Sequence, residues 1–295
     1  PTIAGVSGQF ADSLLNAEVR TDAATGDVLV SATFGMGHMA IAAASATTMA
    51  QNWWLQSVET YDKRNMHRLS GANETGWSAW GSVFHEEGTI DPDNSLQDLS
   101  FDQKVSALQA GVQWTGEVGG GRLSAGPTFG YGDASADSNA NVGSADGSVN
   151  SFGLNASYRL EQGLYFDASW QSMTMDTDFR TPGTASGATG ESDADGDGYN
   201  LEVGYEYKLQ SGLALVPQLQ YASVDVELDD FSSSDGAYGF TDVGGKASLL
   251  RAGVAVLKTF ETENGFVTPV ANLNYLYSAD GESELRSHGV QFDND

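Results

Sequence analysis

The feature that most constrains this chain is an alternation of apolar and polar residues that recurs along most of its length. In residues 199–209, Tyr, Leu and Val hold every odd position, whereas Asn, Glu, Gly and Lys hold the even ones. Successive side chains of a β-strand point to opposite faces, so this period of two predicts a strand with one apolar face. The strand separates two different environments, and the fold is expected to be all-β.

The same alternation predicts nine strands in the C-terminal two thirds of the chain. They lie near 77–84, 108–115, 123–131, 151–160, 164–171, 199–209, 213–221, 250–256 and 267–277. On each strand one face is apolar or aromatic and the other is small or polar. We expect the polar faces to point toward a common interior.

The connections between these strands are of two kinds that alternate along the chain. Four are short and contain glycine, at 117–121, 161–163, 210–212 and 261–265. Four are long and rich in Asp, Ser and Gly, at 86–104, 134–150, 179–198 and 229–247. Tight turns at one end, long loops at the other and strands of roughly ten residues are typical of outer-membrane barrels. The sequence therefore predicts an antiparallel transmembrane β-barrel in the bacterial outer membrane, with its long loops at the cell surface.

Aromatic residues lie toward both ends of the predicted apolar faces. One membrane interface is expected at Tyr131, Trp170, Tyr221 and Tyr277, and the other at Trp114, Tyr158 and Tyr207. A soluble β-sandwich would also alternate and bury one face. It gives no reason for the regular exchange of short and long connections, and the Tyr-rich faces suit a lipid interface better.

Composition argues against several other classes of protein. With 13 Lys and Arg against 40 Asp and Glu, the net charge is −27, and nucleic acid is bound through basic residues. The chain has no cysteine, so it has neither disulfides nor a thiolate metal site. Its four histidines are far apart and no G-x-S-x-G or phosphate-binding loop is present, so we predict no enzyme, no cofactor and no nucleic-acid partner.

A helix is predicted ahead of the first barrel strand. Residues 41–69 contain no Gly or Pro and are rich in Ala, Gln and Met, which predicts a helix of roughly eight turns. Before it, residues 28–34 alternate as a β-strand that follows a turn at 25–27. A β-segment, a helix of mixed polarity and then a barrel is an unusual order.

This order resembles the translocator domain of type V secretion autotransporters. The matching residues are the helix end "DKRNMHRL" and the strand segments "GWSAWGSVF", "LQAGVQW", "GPTFGYG", "GLYFDASW", "LEVGYEY", "LVPQLQY" and "FVTPVANLNYLYS". The similarity covers residues 41–295 and depends on the order and spacing of the segments. It implies a twelve-stranded barrel with the helix inside its pore, and a passenger delivered to the cell surface with help from the barrel-assembly machinery.

The resemblance also implies a division of the chain. Residues 1–40 would be the end of a β-helical passenger, 41–70 the pore-plugging linker helix, and 71–295 the barrel in contact with outer-membrane lipid. The barrel is expected to be truncated at its C-terminus, because "RSHGVQFDND" stands where a tenth strand would begin. Alternatively, the strand at 28–34 joins the sheet as the tenth.

Charged residues suggest how the helix is held in the pore. The end of the helix carries Lys63, Arg64 and Arg68, and the predicted inward faces carry Asp167, Glu202 and Glu206. We expect Arg64 or Arg68 to pair with at least one of these three carboxylates. Arg159 and Lys208 also face inward near the same rim and compete for them.

Two weaker site predictions concern single segments. Some autotransporters cut their linker by cyclisation of an asparagine, and Asn52 is the candidate here, with an ordinary polar helix residue as the alternative. Asp193, Asp195 and Asp197 fit the first half of a calcium loop, but Leu201 and Gly204 stand where its later ligands belong. The alternative functions are therefore a passive porin and a calcium-dependent surface adhesin.

Overall fold

The structure, a computed structural model, describes residues 15–21, 28–34, 38–69, 75–91, 100–139, 143–181, 188–234, 239–262, 265–287 and 290–294. It describes the backbone alone in the two N-terminal strands, at 62–69 and over much of the C-terminal strands.

The chain begins with a hairpin and a long helix. Strand β1 (Leu15–Thr21) pairs antiparallel with β2 (Val28–Phe34) in a two-stranded sheet of their own. Helix α1 follows over His38–Leu69 and has 32 residues, so it is one turn longer at its start than the sequence predicts. The alternative in which residues 28–34 join the barrel is wrong, because β2 takes β1 as its partner.

The rest of the described chain is almost entirely strand. The strands are β3 (Gly76–Ile90), β4 (Phe101–Val118), β5 (Gly121–Ser138), β6 (Ser144–Leu160), β7 (Leu164–Arg180), β8 (Thr189–Tyr205), β9 (Tyr207–Lys208), β10 (Leu213–Leu228), β11 (Phe231–Ser232), β12 (Gly239–Lys258), β13 (Phe260–Thr262), β14 (Gly265–Val267), β15 (Val270–Ser287) and β16 (Val290–Asn294).

All but β13 and β14 of these form one sheet of twelve strands, in the order β16-β15-β12-β10-β8-β7-β6-β5-β4-β3, with β9 beside β10 and β11 beside β12. The nine predicted strands are confirmed, and β16 is a further strand that pairs with β15. Within the described residues, β3 and β16 are the two ends of the sheet and do not pair with each other.

The sheet curves around α1, which contacts β3 to β8, β10, β12 and β15. We call the end of the barrel with the short connections the turn rim. It includes Gly119 and Gly120, whose φ angles of 59° and 80° suit the two-residue hairpin turn that joins β4 to β5. The opposite end is the loop rim, which among the described residues includes Asp91, Ser100, Asn139, Gly143, Thr181, Ala188 and Asp229.

The strands are much longer than the sequence predicts, and the long loops are correspondingly shorter. Strand β8 begins at Thr189 and includes the whole of "DADGDG", which was expected to be loop. Asp, Gly and Ser favour turns when they are considered alone. Here they alternate in register with neighbouring strands on both sides: Asp197 pairs with Ser172 of β7 and with Asp225 of β10.

The apolar residues change faces halfway along the strands. On β10, Leu215 and Leu219 near the turn rim point outward, whereas Val224 and Val226 near the loop rim are buried on the lumen side. Strand β8 shows the complementary exchange, because its outward face carries Asp197 on the loop side and Tyr199 on the turn side. The predicted apolar outside and polar inside are therefore observed in the turn half. The loop half, most of which the sequence assigns to long connections, has the opposite arrangement.

Candidate functional site

Helix α1 runs through the lumen from the loop rim to the turn rim. Near the start of the helix, Ala42 lies beside Gly143 of the wall, where a Cβ atom would be 3.3 Å from the Cβ of Ala42. Further along, the ring of Trp54 lies against Gly198. Tyr61 lies close enough to Arg159 of the turn half for an electrostatic interaction. The predicted placement of the helix inside the barrel is thus confirmed.

The loop half of the lumen is an apolar core around the first part of the helix. It forms one cluster of buried residues, in which the helix supplies Met39, Ala42, Ala43, Ala46, Met49, Ala50, Trp53 and Trp54. Opposing wall residues include Val149, Met175 and Val226, each less than 1 % exposed. At the loop rim, Phe231 stacks between Phe179 and Phe240 with ring centroids 4.9 Å away on either side. The described helix is therefore held here by burial of apolar surface.

Below this core, uncharged polar side chains join the helix to the wall. Ser57 donates a hydrogen bond to Oε1 of Gln171 at 2.6 Å and accepts another from Nε2 of Gln109. The Nε1 of Trp54 donates to the backbone oxygen of Gln171 at 3.2 Å. Because Gln109 lies on β4 and Gln171 on β7, Ser57 links two parts of the wall that are three strands apart.

Two of the carboxylates expected to hold the helix have wall partners. Glu202 pairs with Arg251, with 2.9 Å between Oε2 and Nη2, and its Oε1 accepts a hydrogen bond from Tyr165 at 2.8 Å. Glu206 lies 3.5 Å from Nζ of Lys208. These partners are the kind of competitor that the sequence suggested.

Asp167, the third carboxylate, is 3 % exposed on the lumen side and lies near Arg159, with which it interacts electrostatically. The side chains of Lys63, Arg64 and Arg68 lie outside the described residues. Their pairing with Asp167, Glu202 or Glu206 stays a prediction.

The two weaker sites are placed as follows. Asp193, Asp195 and Asp197 all point outward from β8 and are exposed, and the described residues contain no group of three carboxylates or histidines that could hold a metal ion. Asn52 lies within the continuous helix, and its Nδ2 is 3.5 Å from Oε1 of Gln103.

The turn half of the outer surface is a belt of exposed apolar side chains. Its larger members, each at least 38 % exposed, include Leu108, Val112, Trp114, Phe129, Tyr131, Phe152, Leu154, Phe166, Trp170, Tyr199, Leu201, Tyr205, Leu219, Leu250 and Tyr277. Along its edge nearer the loop rim, Phe152 packs on Phe129 at 5.3 Å and on Trp170 at 6.4 Å. So large an apolar surface marks contact with lipid or another protein. In the described part of the chain, no helix is long and apolar enough to cross a membrane.

Sequence reasoning missed the residues that hold the described helix. Trp53 and Trp54 are fully buried, whereas the contacts predicted from the sequence are those of the cations that follow them. A signal was present in Gln103, Gln109 and Gln113, which alternate with outward residues on β4. These glutamines are six and four residues apart, at every third or second inward position, and indicate a lumen wall that offers hydrogen bonds to a segment inside it.

Comparisons with known proteins agree with this geometry. The family described as autotransporter β-domain matches residues 79–295. The β-domain of the Bordetella autotransporter BrkA has a TM-score of 0.59 and 21 % identity, covering 74 % of this chain and 82 % of that one. The translocator domain of the autotransporter NalP from Neisseria meningitidis has a TM-score of 0.60 and 12 % identity, covering 82 % and 87 %. No curated protein sequence matches. With its family match over most of its length and a barrel filled by its own helix, the chain belongs to the autotransporter β-domain family.

Proposed function

We propose that this outer-membrane translocator domain delivers a passenger that precedes α1 to the cell surface and then anchors it through the helix left in the lumen. The observation that supports this most directly is the path of the chain. A hairpin stands before the helix, the helix crosses the lumen from loop rim to turn rim, and β3 follows it at the turn rim. A segment preceding α1 is therefore attached at the loop rim.

The loop rim faces the outside of the cell in this proposal. On β8 the outward residues change from Asp193, Asp195 and Asp197 to Tyr199 and Leu201. A charged row suits water and an aromatic followed by an aliphatic residue suits the membrane interface. The loop half then stands above the outer leaflet, the apolar belt contacts outer-membrane lipid, and the short turns lie in the periplasm, where barrel-assembly machinery inserts the strands.

The helix-filled lumen argues against a passive porin. Porins need an aqueous channel, whereas Trp53, Trp54 and Met49 are completely buried between helix and wall. A calcium-dependent adhesin is disfavoured too, since carboxylates at every second position of a strand are roughly 7 Å apart and cannot close around one ion at ligand distances of about 2.3–2.6 Å.

We also propose that the domain acts as a conduit and anchor without catalysis of its own. The candidate for linker cleavage, Asn52, contacts the neutral Gln103 among the described residues. Its segment is continuous helix from His38 to Leu69.

Epitope tags in the full-length protein with its natural upstream sequence test the proposal. One tag is placed ahead of β1, one after Asn139 at the loop rim, and one between Gly119 and Gly120 at the turn rim. Antibody added to intact cells should label the first two, whereas the third should require permeabilised outer membranes. Labelling of the turn-rim tag on intact cells, or of the first tag only after permeabilisation, would contradict the proposal.

A further inference from the structure

Two adjacent tryptophans of the helix lie beside two glycines of the lumen wall. Trp53 and Trp54 are both fully buried. The ring of Trp54 occupies the place of any side chain at Gly198. A Cβ at Gly130 would lie 2.5 Å from Oγ of Ser151 and 3.0 Å from Cη2 of Trp53. The wall therefore leaves room for the two indoles at the positions where it has no side chain.

The space beside Gly198 is bounded in both directions along β8. Toward the loop rim, the next lumen-facing residue is Gly196, where a Cβ would lie 2.7 Å from Cε of Met173. Toward the turn rim it is Asn200, which is completely buried and accepts a hydrogen bond from Nε2 of Gln220 at 2.6 Å. The ring of Trp54 thus fits at Gly198, whereas Met173 occupies the place beside Gly196 and the Asn200 side chain occupies the next position toward the turn rim. We call each such lumen-facing position a level.

The space beside Gly130 is bounded on one side along β5. Toward the loop rim lies Gly132, where the atoms nearest to a Cβ would be those of the adjacent strand β4, with Cβ of Ala107, its cross-strand partner, at 2.7 Å. Toward the turn rim lies Thr128, whose Oγ1 accepts a hydrogen bond from Nδ2 of Asn155 at 2.6 Å. Lumen-facing positions on a strand are about 6.8 Å apart and a helical turn advances about 5.4 Å. A helix displaced by one turn toward the turn rim would therefore press the indoles against Asn200 and Thr128. A helix displaced by one turn toward the loop rim would press Trp54 against Met173.

The side chains that precede Trp53 and Trp54 in the helix are much smaller than the two indoles. Residues 40–50 read "AIAAASATTMA", and no Phe, Tyr or Trp occurs between Phe34 and Trp53. In a chain that moves outward through the lumen, this narrow segment reaches the level of Gly130 and Gly198 first. The tryptophan pair follows as the first aromatic segment after Phe34.

We propose that Trp53 and Trp54 form a stop that fixes the depth of the helix in the lumen and so ends the outward movement of the passenger. The role in ending movement rests on the proposed translocator function. The fixing of depth does not. Small side chains pass the two glycine levels, the indoles enter them, and the hydrogen bond from Trp54 to the Gln171 oxygen orients the ring.

Helix depth can be measured by disulfide trapping, because the chain has no cysteine of its own. The pair Ala42→Cys and Gly143→Cys reports the native depth, since the Cβ positions are 3.3 Å apart and disulfides require about 3.5–4.5 Å. Ala46→Cys or Met39→Cys with Gly143→Cys reports a displacement of about one turn. The full-length protein is oxidised in membranes and the cross-linked fraction is measured on gels.

In the otherwise unchanged protein the native pair should cross-link and the displaced pairs should not. Adding Trp53→Ala and Trp54→Ala should remove most of the native cross-link and raise one displaced cross-link. Gly198→Ala places a methyl group of the wall where the Trp54 ring lies. It should therefore also lower the native cross-link and raise a displaced one. Trp77→Ala, on the outer surface, and Gly88→Ala, where a side chain meets open space, are the controls and should leave the native cross-link unchanged.

An unchanged native cross-link in the Trp53→Ala, Trp54→Ala protein would overturn the proposal. If that protein fails to assemble, an unchanged native cross-link in the Gly198→Ala protein overturns it equally. Surface labelling of the tag ahead of β1 is scored in the same samples. Tryptophan-dependent cross-links without any surface labelling would leave the depth stop standing and refute the translocator function instead.

Discussion

Arg251 of β12 and Glu202 of β8 form a buried ion pair across the intervening strand β10, with 2.9 Å between Nη2 and Oε2. Their side chains are 10 % and 2 % exposed. The pair lies in one lateral row, since Gln220 of β10 is in register with both residues. Tyr165 of β7 donates to the second carboxylate oxygen, so β12, β8 and β7 share one polar network in the turn half.

Breaking this pair should destabilise the barrel strongly. Arg251→Met leaves a buried carboxylate without its cation, and removal of one partner of a buried pair costs about 3–5 kcal/mol. The double variant Arg251→Met, Glu202→Gln should recover much of the loss, because no isolated charge is left in the lumen. Urea unfolding in detergent micelles, followed by circular dichroism, measures both. A double variant less stable than Arg251→Met would refute this account.

The apolar core of the loop half should dominate its stability. Met175 is completely buried on β7 beside helix residue Met49, and both lie close to Gly147. Met175→Ala should cost about 2–5 kcal/mol through lost burial and a residual cavity. Thr174→Ala, one residue earlier on the exposed face of the same strand, is the matched control and should change stability by less than about 0.5 kcal/mol. Equal effects in urea unfolding would mean that the loop half is not packed on the helix.

The change of polarity on β8 predicts where lipid begins. Leu201 and Asp195 share the outward face and are both exposed. Leu201→Arg should cost up to about 2–4 kcal/mol, the penalty for a basic side chain near the bilayer midplane. Asp195→Arg projects into water in our proposed orientation and should cost little. The folded fraction after refolding into lipid vesicles measures the difference. Similar yields for the two variants would place the boundary elsewhere.

The sequence could predict the architecture because a period of two survives wherever one face is buried. The positions of the nine strands followed from it. In the loop half, the composition around Asp193, Asp195 and Asp197 predicts a loop, although these residues belong to β8. These residues alternate as regularly as Tyr199 to Tyr205 do. In the loop half the polar residues lie on the outward face, while the period stays the same.

The helix contacts were less predictable for a different reason. Charges such as Arg64 and Glu202 stand out in a sequence, whereas the space that Gly198 leaves for Trp54 exists only after β8 and α1 have come together. Glycines at alternating positions are common in this chain, which has 36 of them. Nothing local distinguishes Gly198 from Gly196, which is covered by Met173 instead.

The linker helix should stay intact in the assembled protein. Asn52 lies in the middle of a continuous helix, and its amide contacts the amide of Gln103 at 3.5 Å. Among the described hydrogen bonds, none from a carboxylate turns the Asn52 side chain toward its own backbone, as cyclisation would require. Intact-mass spectrometry of the purified protein after prolonged incubation should show one species. A fragment that ends at Asn52, and that disappears in Asn52→Ala, would show instead that the linker is cut there.

The pairing of the helix end with the wall can be tested by a double-mutant cycle. Asp167 is 3 % exposed on the lumen side of β7, near the turn rim that the helix end approaches. If Arg64 contacts it, the variants Arg64→Gln and Asp167→Asn should be coupled by about 0.5–3 kcal/mol in urea unfolding, as expected for residues in contact. Asp176 lies on the same strand but points outward and is exposed, so the cycle with Asp176→Asn is the matched control and should show no coupling. The same two cycles with Arg68→Gln examine the other candidate.

The pairing should also be visible in planar bilayers. Asp167→Asn removes the negative partner of a cation on the helix and should raise single-channel conductance. If neither arginine couples to Asp167 more strongly than to Asp176, the cations of the helix end do not pair with this carboxylate. The helix would then be held by its apolar half, its tryptophans and the glutamines of the wall.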